Sequence, residues 1–179
     1  MIAAVTIQRF LDVTPSSKLS DQIDAIFFEA SNTKVFESNV ARAAFRERWL
    51  GRYVRDHPQF AYLALDASGD VVGYVVGAIA DPVSSARFVD VGYFATFDDL
   101  TSRYPAHLHV NMAPVFRNQG IGGRLIEAFV AEAKRSGVPG VHVVTSADSD
   151  NVRFYNRNGF IEAGRTKGSR PLVFLARAL

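Results

Sequence analysis

A glycine-rich turn in the middle of the chain follows a short apolar strand and precedes an amphipathic helix. Its three glycines, Gly120, Gly122 and Gly123, end the segment from Leu108 to Gly123. Glycine permits unusual backbone angles and lets a bulky group approach the chain. The first N–H groups of a helix lack internal acceptors and carry the positive end of the helix dipole. The pattern therefore predicts an anion cradle, a backbone binding site for an anion, and pyrophosphate is the ligand that fits it best.

Two other kinds of phosphate-binding loop can be compared with this segment. A Walker-type loop ends in Gly-Lys-Ser or Gly-Lys-Thr, and no such ending occurs here. A dinucleotide fingerprint needs a third small residue, which after Gly120 and Gly122 would fall at Leu125. That fingerprint also belongs to a first β-α unit, whereas this turn lies late in the chain. A glycine turn without a ligand and an unrelated nucleotide-binding domain remain as alternatives.

The elements that position the turn follow from the hydrophobic pattern. Strands are predicted at Ala4–Phe10, Phe60–Leu65, Val71–Ile79, Ala106–Met112, Gly140–Ser146, Phe160–Gly164 and Leu172–Ala176, and helices at Leu19–Ala30, Glu37–Arg55, Gly122–Ser136 and Asp150–Arg157. The order is a strand, two helices, a hairpin and then a β-α-β-α-β run. It predicts an α/β fold, with a mixed sheet and helices on its faces.

Two regions between these elements carry many aromatic residues. The second helix has Val40, Ala43, Ala44, Trp49 and Tyr53 at roughly helical spacing, which predicts one apolar face. On that face Trp49 is favoured as a core anchor over a platform for a ligand. The connection from residue 81 to residue 105 has five aromatic residues without clean periodicity, so it is expected to line a groove, with core packing of its rings as an equal alternative.

Length and composition fit one domain over residues 1–179, with 48% hydrophobic and 21% charged residues. The 20 Lys and Arg are interspersed with 18 Asp and Glu, so we expect no nucleic-acid partner. The absence of cysteine excludes disulfides, thiolate metal sites and an acyl-cysteine intermediate, and we expect no metal. Without a signal-like start or an apolar run of ~18 to 20 residues, we expect a cytoplasmic protein with no membrane partner.

Two stretches of the sequence resemble the signatures of the GNAT N-acetyltransferase superfamily. Residues 117–122, Arg-Asn-Gln-Gly-Ile-Gly, are similar to its acetyl-CoA motif, Arg/Gln-x-x-Gly-x-Gly/Ala. Residues 151–160 are similar to its second motif, a helix with a Phe-Tyr pair followed by Gly-Phe. The resemblance implies a GNAT-like, mostly antiparallel central sheet with helices on both faces. It also implies acetyl-CoA as co-substrate and a primary amine as acceptor.

The resemblance assigns the donor-binding residues to the strand end and the turn. The backbone of Val110, Asn111 and Met112 would bind the pantetheine arm and hold the thioester, and an N–H group near Met112 could stabilise the oxyanion. The residues around the pyrophosphate would be Arg117, Asn118, Gln119, Gly120, Ile121, Gly122 and Gly123.

The second motif supplies the candidate catalytic residue. Tyr155 matches the family position that donates a proton to the departing CoA thiolate, and its alternative is a core aromatic residue. Many members of the family have a pantetheine-binding Asn seven residues before this Tyr. Here that position is Asp148, and Asn151 stands further along the chain, so both are candidates for cofactor binding. Asp148, Ser149 and Asp150 all suit the N-cap of the helix, and for Asp150 this structural role is favoured.

The general base has no clear candidate. The strands Leu108–Met112 and Val141–Thr145, where the family often has a carboxylate, contain neither Asp nor Glu. His107, His109 and His142 titrate in a suitable range, but each is favoured as a structural histidine. A water chain or an acceptor that arrives deprotonated would remove the need for a base.

A narrower resemblance divides the functional hypotheses. Residues 108–111 together with residues 146–151 are similar to the acetyltransferase-like domain of O-GlcNAcases and its free-standing bacterial relatives, some of which are thought to have lost catalysis. The first hypothesis is direct acetyl transfer in a ternary complex, and the second is an inactive acetyl-CoA-binding sensor or interaction module. The expected partners are acetyl-CoA, an amine acceptor of unknown identity and, in a homodimer, a second copy.

Overall fold

The computed structural model describes residues 4–179, so the first three residues of the domain predicted over residues 1–179 lie outside it. The strands are Thr6–Arg9 (β1), Tyr62–Leu65 (β2), Val71–Ala78 (β3), Ala106–Met112 (β4), Gly140–Ser146 (β5), Ile161–Arg165 (β6) and Leu172–Ala178 (β7). The α-helices are Ser17–Ala30 (α1), Asn39–Arg46 (α2), Arg52–Asp56 (α3), Gly92–Thr96 (α4), Asp98–Thr101 (α5), Ile121–Arg135 (α6) and Asp150–Arg157 (α7). Among these helices, none combines the length and apolar character needed to cross a bilayer.

The strands form one sheet in the order β1-β2-β3-β4-β5-β7-β6. The pairs β1–β2, β2–β3, β5–β7 and β6–β7 are antiparallel, and β4–β5 is parallel. The parallel pair aligns His107 with His142. The mixed, mostly antiparallel sheet that the resemblance implied is therefore confirmed.

The described residues group into two compact units. The first contains the chain up to Gly77 together with His109–Phe129, and the second contains Ala78–Leu108 together with Val130–Leu179. Strand β4 and helix α6 each contribute residues to both units. A single functional domain over residues 1–179 remains a prediction.

Helix α1 supplies part of the core of the first unit. Its buried residues are Leu19, Ile23, Ile26 and Phe27, which share one face because they recur at helical spacing. The Ser16 hydroxyl accepts a hydrogen bond from the Leu19 N–H at 3.1 Å and so caps the helix. These four residues form the apolar face of α1.

Helix α6 runs directly from the glycine-rich turn. The sequence predicted an amphipathic helix here, and its apolar face is buried, formed by Ile121, Leu125, Ile126, Phe129, Val130 and Ala133. After Arg135 the chain turns at Gly137, whose φ of 75° is left-handed, and the Val138 N–H bonds the Ala133 carbonyl at 3.2 Å. Burial of this face holds the start of α6 in a fixed place.

The second predicted helix differs from its expected form. A π-helical turn, Glu47–Gly51, separates α2 from α3, and the wider turn shifts the residues before it out of phase with those after it. Tyr53 is buried and Trp49 is half-buried, but the three upstream residues of the predicted face, Val40, Ala43 and Ala44, are exposed. The predicted single apolar face was therefore wrong for its first half.

The segment from residue 81 to residue 105 forms core rather than an extended connection. It folds into a 3₁₀ turn, Ala86–Phe88, and the short helices α4 and α5. Phe88, Phe94 and Phe97 are buried within the second unit. The ring centroids of Phe97 and Phe174 lie 5.3 Å apart. Core packing, one of the two alternatives for these rings, is the one the structure supports.

Candidate functional site

The end of β4 is held firmly by β3 within the first unit. Val110, Asn111 and Met112 are half-buried, and the N–H that follows them, that of Ala113, donates to the Val72 carbonyl at 2.9 Å. The Asn111 side-chain amide donates to the Tyr74 hydroxyl at 2.8 Å. Side-chain and backbone bonds thus both fix the strand end that the sequence assigned to the pantetheine arm.

The absence of a side chain at Gly73 leaves the space that the Met112 side chain occupies. A Cβ atom at Gly73 would lie 2.2 Å from the Met112 sulfur and 3.0 Å from the Asn111 carbonyl oxygen. No side chain larger than hydrogen fits there without movement of β4. The β3 and β4 backbones therefore approach closely at this glycine.

The Tyr74 hydroxyl belongs to a wider polar group in the first unit. The Arg46 guanidinium donates through Nε to both carboxylate oxygens of Asp24 at 2.8 Å. Burial raises the pKa of Tyr74, the Asn111 bond lowers it, and the charges of Asp24 and Arg46 act on it in opposite directions. Tyr74 therefore stays protonated and neutral at physiological pH, and its oxygen remains an acceptor for Asn111.

The turn before α6 has an unusual backbone conformation. Asn118 and Gly120 both have left-handed φ angles, 61° and 78°, and residues 117–120 are exposed. The first helical hydrogen bond of α6 runs from the Arg124 N–H to the Gly120 carbonyl at 3.2 Å. By helix geometry, the N–H groups of residues 121–123 have no acceptor within the helix and point out of its start.

Two side chains of the turn form hydrogen bonds with neighbouring parts of the first unit. Arg117 donates through Nε to the Met112 carbonyl at 3.1 Å, and its Nη2 lies 2.5 Å from the Glu29 carboxylate of α1. Gln119 donates to the Val115 carbonyl at 2.9 Å. The Arg117 side chain therefore joins the strand end to α1, and the turn around it stays exposed.

His109 lies in the first unit among aromatic rings. Its Nε2 is 3.3 Å from the Tyr53 hydroxyl, and the Trp49 and Tyr53 ring centroids lie 5.6 and 5.2 Å from its own. Burial lowers the pKa of His109 to about 4, so the imidazole is neutral near pH 7. A neutral imidazole can accept a proton, but this low pKa makes it a weak base.

The other two candidate histidines lie in the core of the second unit. The His142 ring stacks on Phe174 with centroids 4.4 Å apart, and its Nδ1 lies 2.5 Å from the Tyr104 carbonyl oxygen. His107 meets Phe88 edge-on at 4.8 Å. Both histidines are almost fully buried, which supports the structural role that the sequence favoured for them.

The second motif forms helix α7 in the second unit. Tyr155 is 8% exposed and packs against Phe154 and Phe160, and burial raises the pKa of its hydroxyl. Ser149, rather than Asp150, is the N-cap, because its hydroxyl accepts from the Asn151 N–H at 3.1 Å. The expected capping role of Asp150 was therefore wrong.

The two cofactor candidates of this motif are exposed. Asp148 and Asn151 both have exposed side chains, and Asp148 is one of the residues that line a surface cavity of about 370 Å³ at the start of α7. Within residues 4–179, no group of three or more His, Asp and Glu side chains is arranged to hold a metal ion.

Sequence reasoning missed Tyr74 and Glu29. In the sequence, Tyr74 is indistinguishable from the other apolar residues of β3, because its hydrogen bond to Asn111 forms only when the two strands pair. Glu29 reads as a surface charge, because its partner Arg117 is 88 residues away. For Tyr53 the helical spacing did predict burial, but it gave no sign of the contact with His109.

Comparison with solved structures supports the fold. The structure titled SsHAT matches with a TM-score of 0.72 and 20% sequence identity over 98% of each chain. A GCN5-related N-acetyltransferase from Kribbella flavida matches with a TM-score of 0.65 and 17% identity, again over 98% of each chain. A protein of Bacillus anthracis assigned as a streptothricin acetyltransferase, solved with acetyl coenzyme A, matches with a TM-score of 0.51 and 18% identity over 66% of this chain and 61% of its own.

The match to a family model supports an assignment to a family, whereas these distant structures support only the fold. The profile of the acetyltransferase (GNAT) family matches residues 23–160, well over half of the 179 residues, and the match includes both predicted motifs. Acetyl-CoA is the acetyl donor typical of that family. The expectation of an acetyl-CoA-dependent acetyltransferase is thus confirmed at the level of the family. This chain belongs to the acetyltransferase (GNAT) family.

Proposed function

We propose that the protein transfers an acetyl group from acetyl-CoA to a primary amine by direct attack in a ternary complex. The observation that carries the proposal is the turn at the start of α6. Its two left-handed residues, Asn118 and Gly120, lead into outward N–H groups of a helix held by a buried face. This is the arrangement that a pyrophosphate requires. The absence of cysteine leaves no thiol for an acetyl-enzyme intermediate and so favours direct transfer.

The strand end and the turn have separate roles in this proposal. The backbone of Val110, Asn111 and Met112 binds the pantetheine arm and directs the thioester carbonyl, as another strand would be bound. The backbone from Asn118 to Gly123 binds the pyrophosphate. Arg117 acts on the donor by positioning the Met112 carbonyl, and Asp148 and Asn151 are the candidate donor contacts of the second motif.

The chemical step needs two proton movements. The amine nitrogen attacks the thioester carbonyl carbon, a C–N bond forms, and the C–S bond breaks as the tetrahedral intermediate collapses. Tyr155 donates its hydroxyl proton to the departing thiolate; its raised pKa keeps that proton on the oxygen until the thiolate develops. The amine binds in its neutral form, and the proton that its nitrogen loses as the C–N bond forms goes to water, because the low pKa of His109 makes it a poor acceptor. Water returns a proton to the Tyr155 oxygen after the CoA thiol has formed.

A second candidate function is an acetyl-CoA-binding protein without catalysis. It is favoured by the lack of any carboxylate in the strand segments 108–112 and 141–145. The narrower resemblance to the acetyltransferase-like domain of O-GlcNAcases points the same way, and it too remains a proposal. In this alternative the protein would act as a sensor or interaction module. Homodimer formation and a cytoplasmic location are further predictions that fit either function.

Calorimetry with acetyl-CoA, CoA, ATP and NAD tests the binding part of the proposal. We expect acetyl-CoA and CoA to bind, and Gly122→Asp to abolish binding by placing a carboxylate among the N–H groups. Gly92→Asp, in the short helix α4 of the second unit, is the matched control and should bind as the wild type does. Binding of ATP or NAD alone would contradict both candidate functions.

Release of free CoA thiol against a panel of primary amines separates the two functions. For an enzyme with Tyr155 as proton donor, Tyr155→Phe should lower kcat by roughly 100-fold or more and leave the acetyl-CoA affinity within about twofold. Phe is the conservative change because it keeps the ring between Phe154 and Phe160. Acetyl-CoA binding without turnover of any amine would favour the non-catalytic function.

A further inference from the structure

A cavity of about 560 Å³ lies in the first unit between the end of α1 and the start of α2, and we call it the α1–α2 pocket. Its walls include two aromatic rings, two cationic side chains and two small polar residues, namely Phe28, Phe36, Lys34, Arg42, Ser38 and Asn39. The volume falls in the range of sites for small molecules, roughly 300–1,000 Å³. None of the described lining residues is acidic, so the lining has one sign of charge.

Arg42 is held in the pocket in a form that leaves its hydrogen-bond donors available. Its guanidinium carbon lies 3.5 Å from the centroid of the Phe28 ring, so the plane of the cation is stacked on the ring. Phe28 is itself packed edge-on against Phe36, with centroids 5.9 Å apart. Stacking occupies the flat face of the guanidinium, whereas its N–H groups point outward in the plane, where they can bind an oxyanion with two hydrogen bonds.

Lys34 adds a second fixed cation. Its ammonium donates to the carbonyl of Phe28 at 3.2 Å and to the carbonyl of Glu29, in the last turn of α1. These carbonyls and the negative end of the helix dipole anchor the ammonium at the pocket wall. Ser38 also lines the pocket, and its hydroxyl accepts from the Ala41 N–H at 3.1 Å and caps α2, so the positive end of that helix starts at the pocket.

The pocket is physically linked to the strand end that we propose to hold the thioester. Glu29, whose carbonyl binds Lys34, uses its carboxylate to bind Arg117. Arg117 in turn donates to the Met112 carbonyl at 3.1 Å. This connected set of contacts, all within the first unit, fixes one wall of the pocket relative to the end of β4.

We propose that the α1–α2 pocket binds the oxyanionic group of the acceptor, and that the acceptor is a small amine that carries a carboxylate or a phosphate next to an apolar or aromatic body. Arg42 binds the oxyanion through its in-plane N–H groups, Lys34 adds a second positive charge, and the Phe28 and Phe36 rings contact the apolar body. The identification of this ligand as the acceptor rests on the proposed acetyl transfer. Oxyanion binding in the pocket does not depend on catalysis and can be measured by itself.

The direct test is a titration of the ¹⁵N-labelled protein with phenylacetate, followed by NMR in the presence of saturating CoA so that the pyrophosphate cradle is filled. Benzyl alcohol, which lacks the charge, is the control ligand, and phenyl phosphate tests the other oxyanion. We expect the amide signals of Ser38, Asn39 and Arg42 to shift with phenylacetate and not with benzyl alcohol. Arg42→Met should weaken phenylacetate binding roughly 10- to 100-fold, the range for loss of a charge-assisted hydrogen-bond pair.

Two variants make this result specific. Arg42→Lys keeps the charge but loses the planar fork, so it should bind phenylacetate with an affinity between those of the wild type and Arg42→Met. Arg135→Met removes a surface arginine that pairs with Glu132 at the end of α6, and it should bind as the wild type does. Equal binding of phenylacetate by the wild type and Arg42→Met, shifts confined to other residues, or equal binding of benzyl alcohol would overturn the proposal.

A kinetic comparison of two amines then tests whether the pocket binds the acceptor during acetyl transfer. The wild type should prefer phenylalanine to 2-phenylethylamine in kcat/KM, and Arg42→Met should reduce that preference roughly 10-fold or more. An equal preference in both proteins, or acetylation of an acidic peptide but of neither small amine, would overturn the acceptor assignment while acetyl transfer stands. Failure to turn over any amine, with phenylacetate still bound at Arg42, would contradict the proposed enzymatic function and leave the oxyanion site supported.

Discussion

The hydrogen bond between the Asn111 side chain and the Tyr74 hydroxyl, 2.8 Å long, connects buried Tyr74 to the strand end assigned to acetyl-CoA. Tyr74 is 1% exposed, so its ring cannot move without disturbing the core. Because Asn111 stands between Val110 and Met112, its side-chain bond restrains the backbone on both sides. The orientation of the backbone groups that would bind pantetheine therefore depends on a tyrosine of the neighbouring strand.

Tyr74→Phe should loosen this strand end while keeping the core packed. The ring remains, but the Asn111 amide loses its acceptor, and we expect a loss of about 1 kcal/mol in the free energy of unfolding. The Kd for acetyl-CoA should rise severalfold because the backbone is less well ordered before binding. Urea denaturation and calorimetry measure the two effects. A double-mutant cycle with Asn111→Ala should give a coupling energy of about 0.5 kcal/mol or more, and additive effects would contradict the link.

Gly73→Ala should disturb the same strand end from the other side. The added methyl would lie 2.2 Å from the Met112 sulfur and 3.0 Å from the Asn111 carbonyl oxygen. Met112 can rotate away, but the carbonyl belongs to the backbone of β4, so we expect a loss of about 1–3 kcal/mol in stability and weaker acetyl-CoA binding.

Two comparison variants separate crowding from a general effect of alanine. Gly92→Ala has open space around the new methyl group and no left-handed φ, so its stability should equal or exceed that of the wild type. Met112→Ala in combination with Gly73→Ala removes the sulfur contact and should recover part of the lost stability. No difference between Gly73→Ala and Gly92→Ala in urea denaturation would show that the close approach has no energetic consequence.

Gly120→Ala separates backbone strain from the binding of acetyl-CoA, because the chain contains a matched glycine. Gly69 and Gly120 have φ angles of 79° and 78°, and a Cβ atom at either would have no neighbour within 4 Å. Alanine at either position should therefore cost about the same, roughly 1–2 kcal/mol. Only Gly120→Ala should weaken acetyl-CoA binding in calorimetry, since only this glycine is in the turn before α6. Equal affinities of the two variants would contradict the assignment of the turn to pyrophosphate.

The features predicted from the sequence are those whose cause is local. The apolar face of α6 follows from helical spacing, and the turn before it follows from glycines at positions where left-handed angles are needed. The structure confirms both, with six buried residues on the helix and a left-handed Gly120. Asn118, which is also left-handed, was predicted only as a residue of the turn.

What could not be predicted depends on phase and on distant partners. The π-helical turn Glu47–Gly51 rotates the residues before it relative to those after it. No residue type in the sequence indicates this turn, so Val40 was predicted to lie on the wrong face. The stacking of Arg42 on Phe28 and the pairing of Arg117 with Glu29 join separate elements, and single-sequence periodicity contains no information about either. The α1–α2 pocket could therefore not be predicted from the sequence, whereas the turn before α6 could.

His109 should make the stability of the protein depend on pH in the weakly acidic range. Burial lowers its pKa from 6.5 to about 4, so between these values the unfolded chain binds a proton that the folded protein does not. The free energy of unfolding should fall as pH decreases from 6.5 to 4. Because each pKa unit is worth about 1.4 kcal/mol, the contribution is about 3.5 kcal/mol at most, and less where water reaches the half-buried ring.

His109→Gln isolates this contribution from those of the other histidines. Glutamine does not titrate, and its amide can still bond the Tyr53 hydroxyl, so the variant should lose less stability than the wild type when urea denaturation at pH 7 is compared with that at pH 4.5. Tyr53→Phe keeps the ring against His109 but removes the 3.3 Å contact, and since burial is the cause of the lowered pKa, this variant should retain the pH dependence of the wild type. If His109→Gln and the wild type lost the same free energy over this interval, the imidazole would have to be protonated in the folded protein, and His109 would again be a candidate base for the acceptor amine.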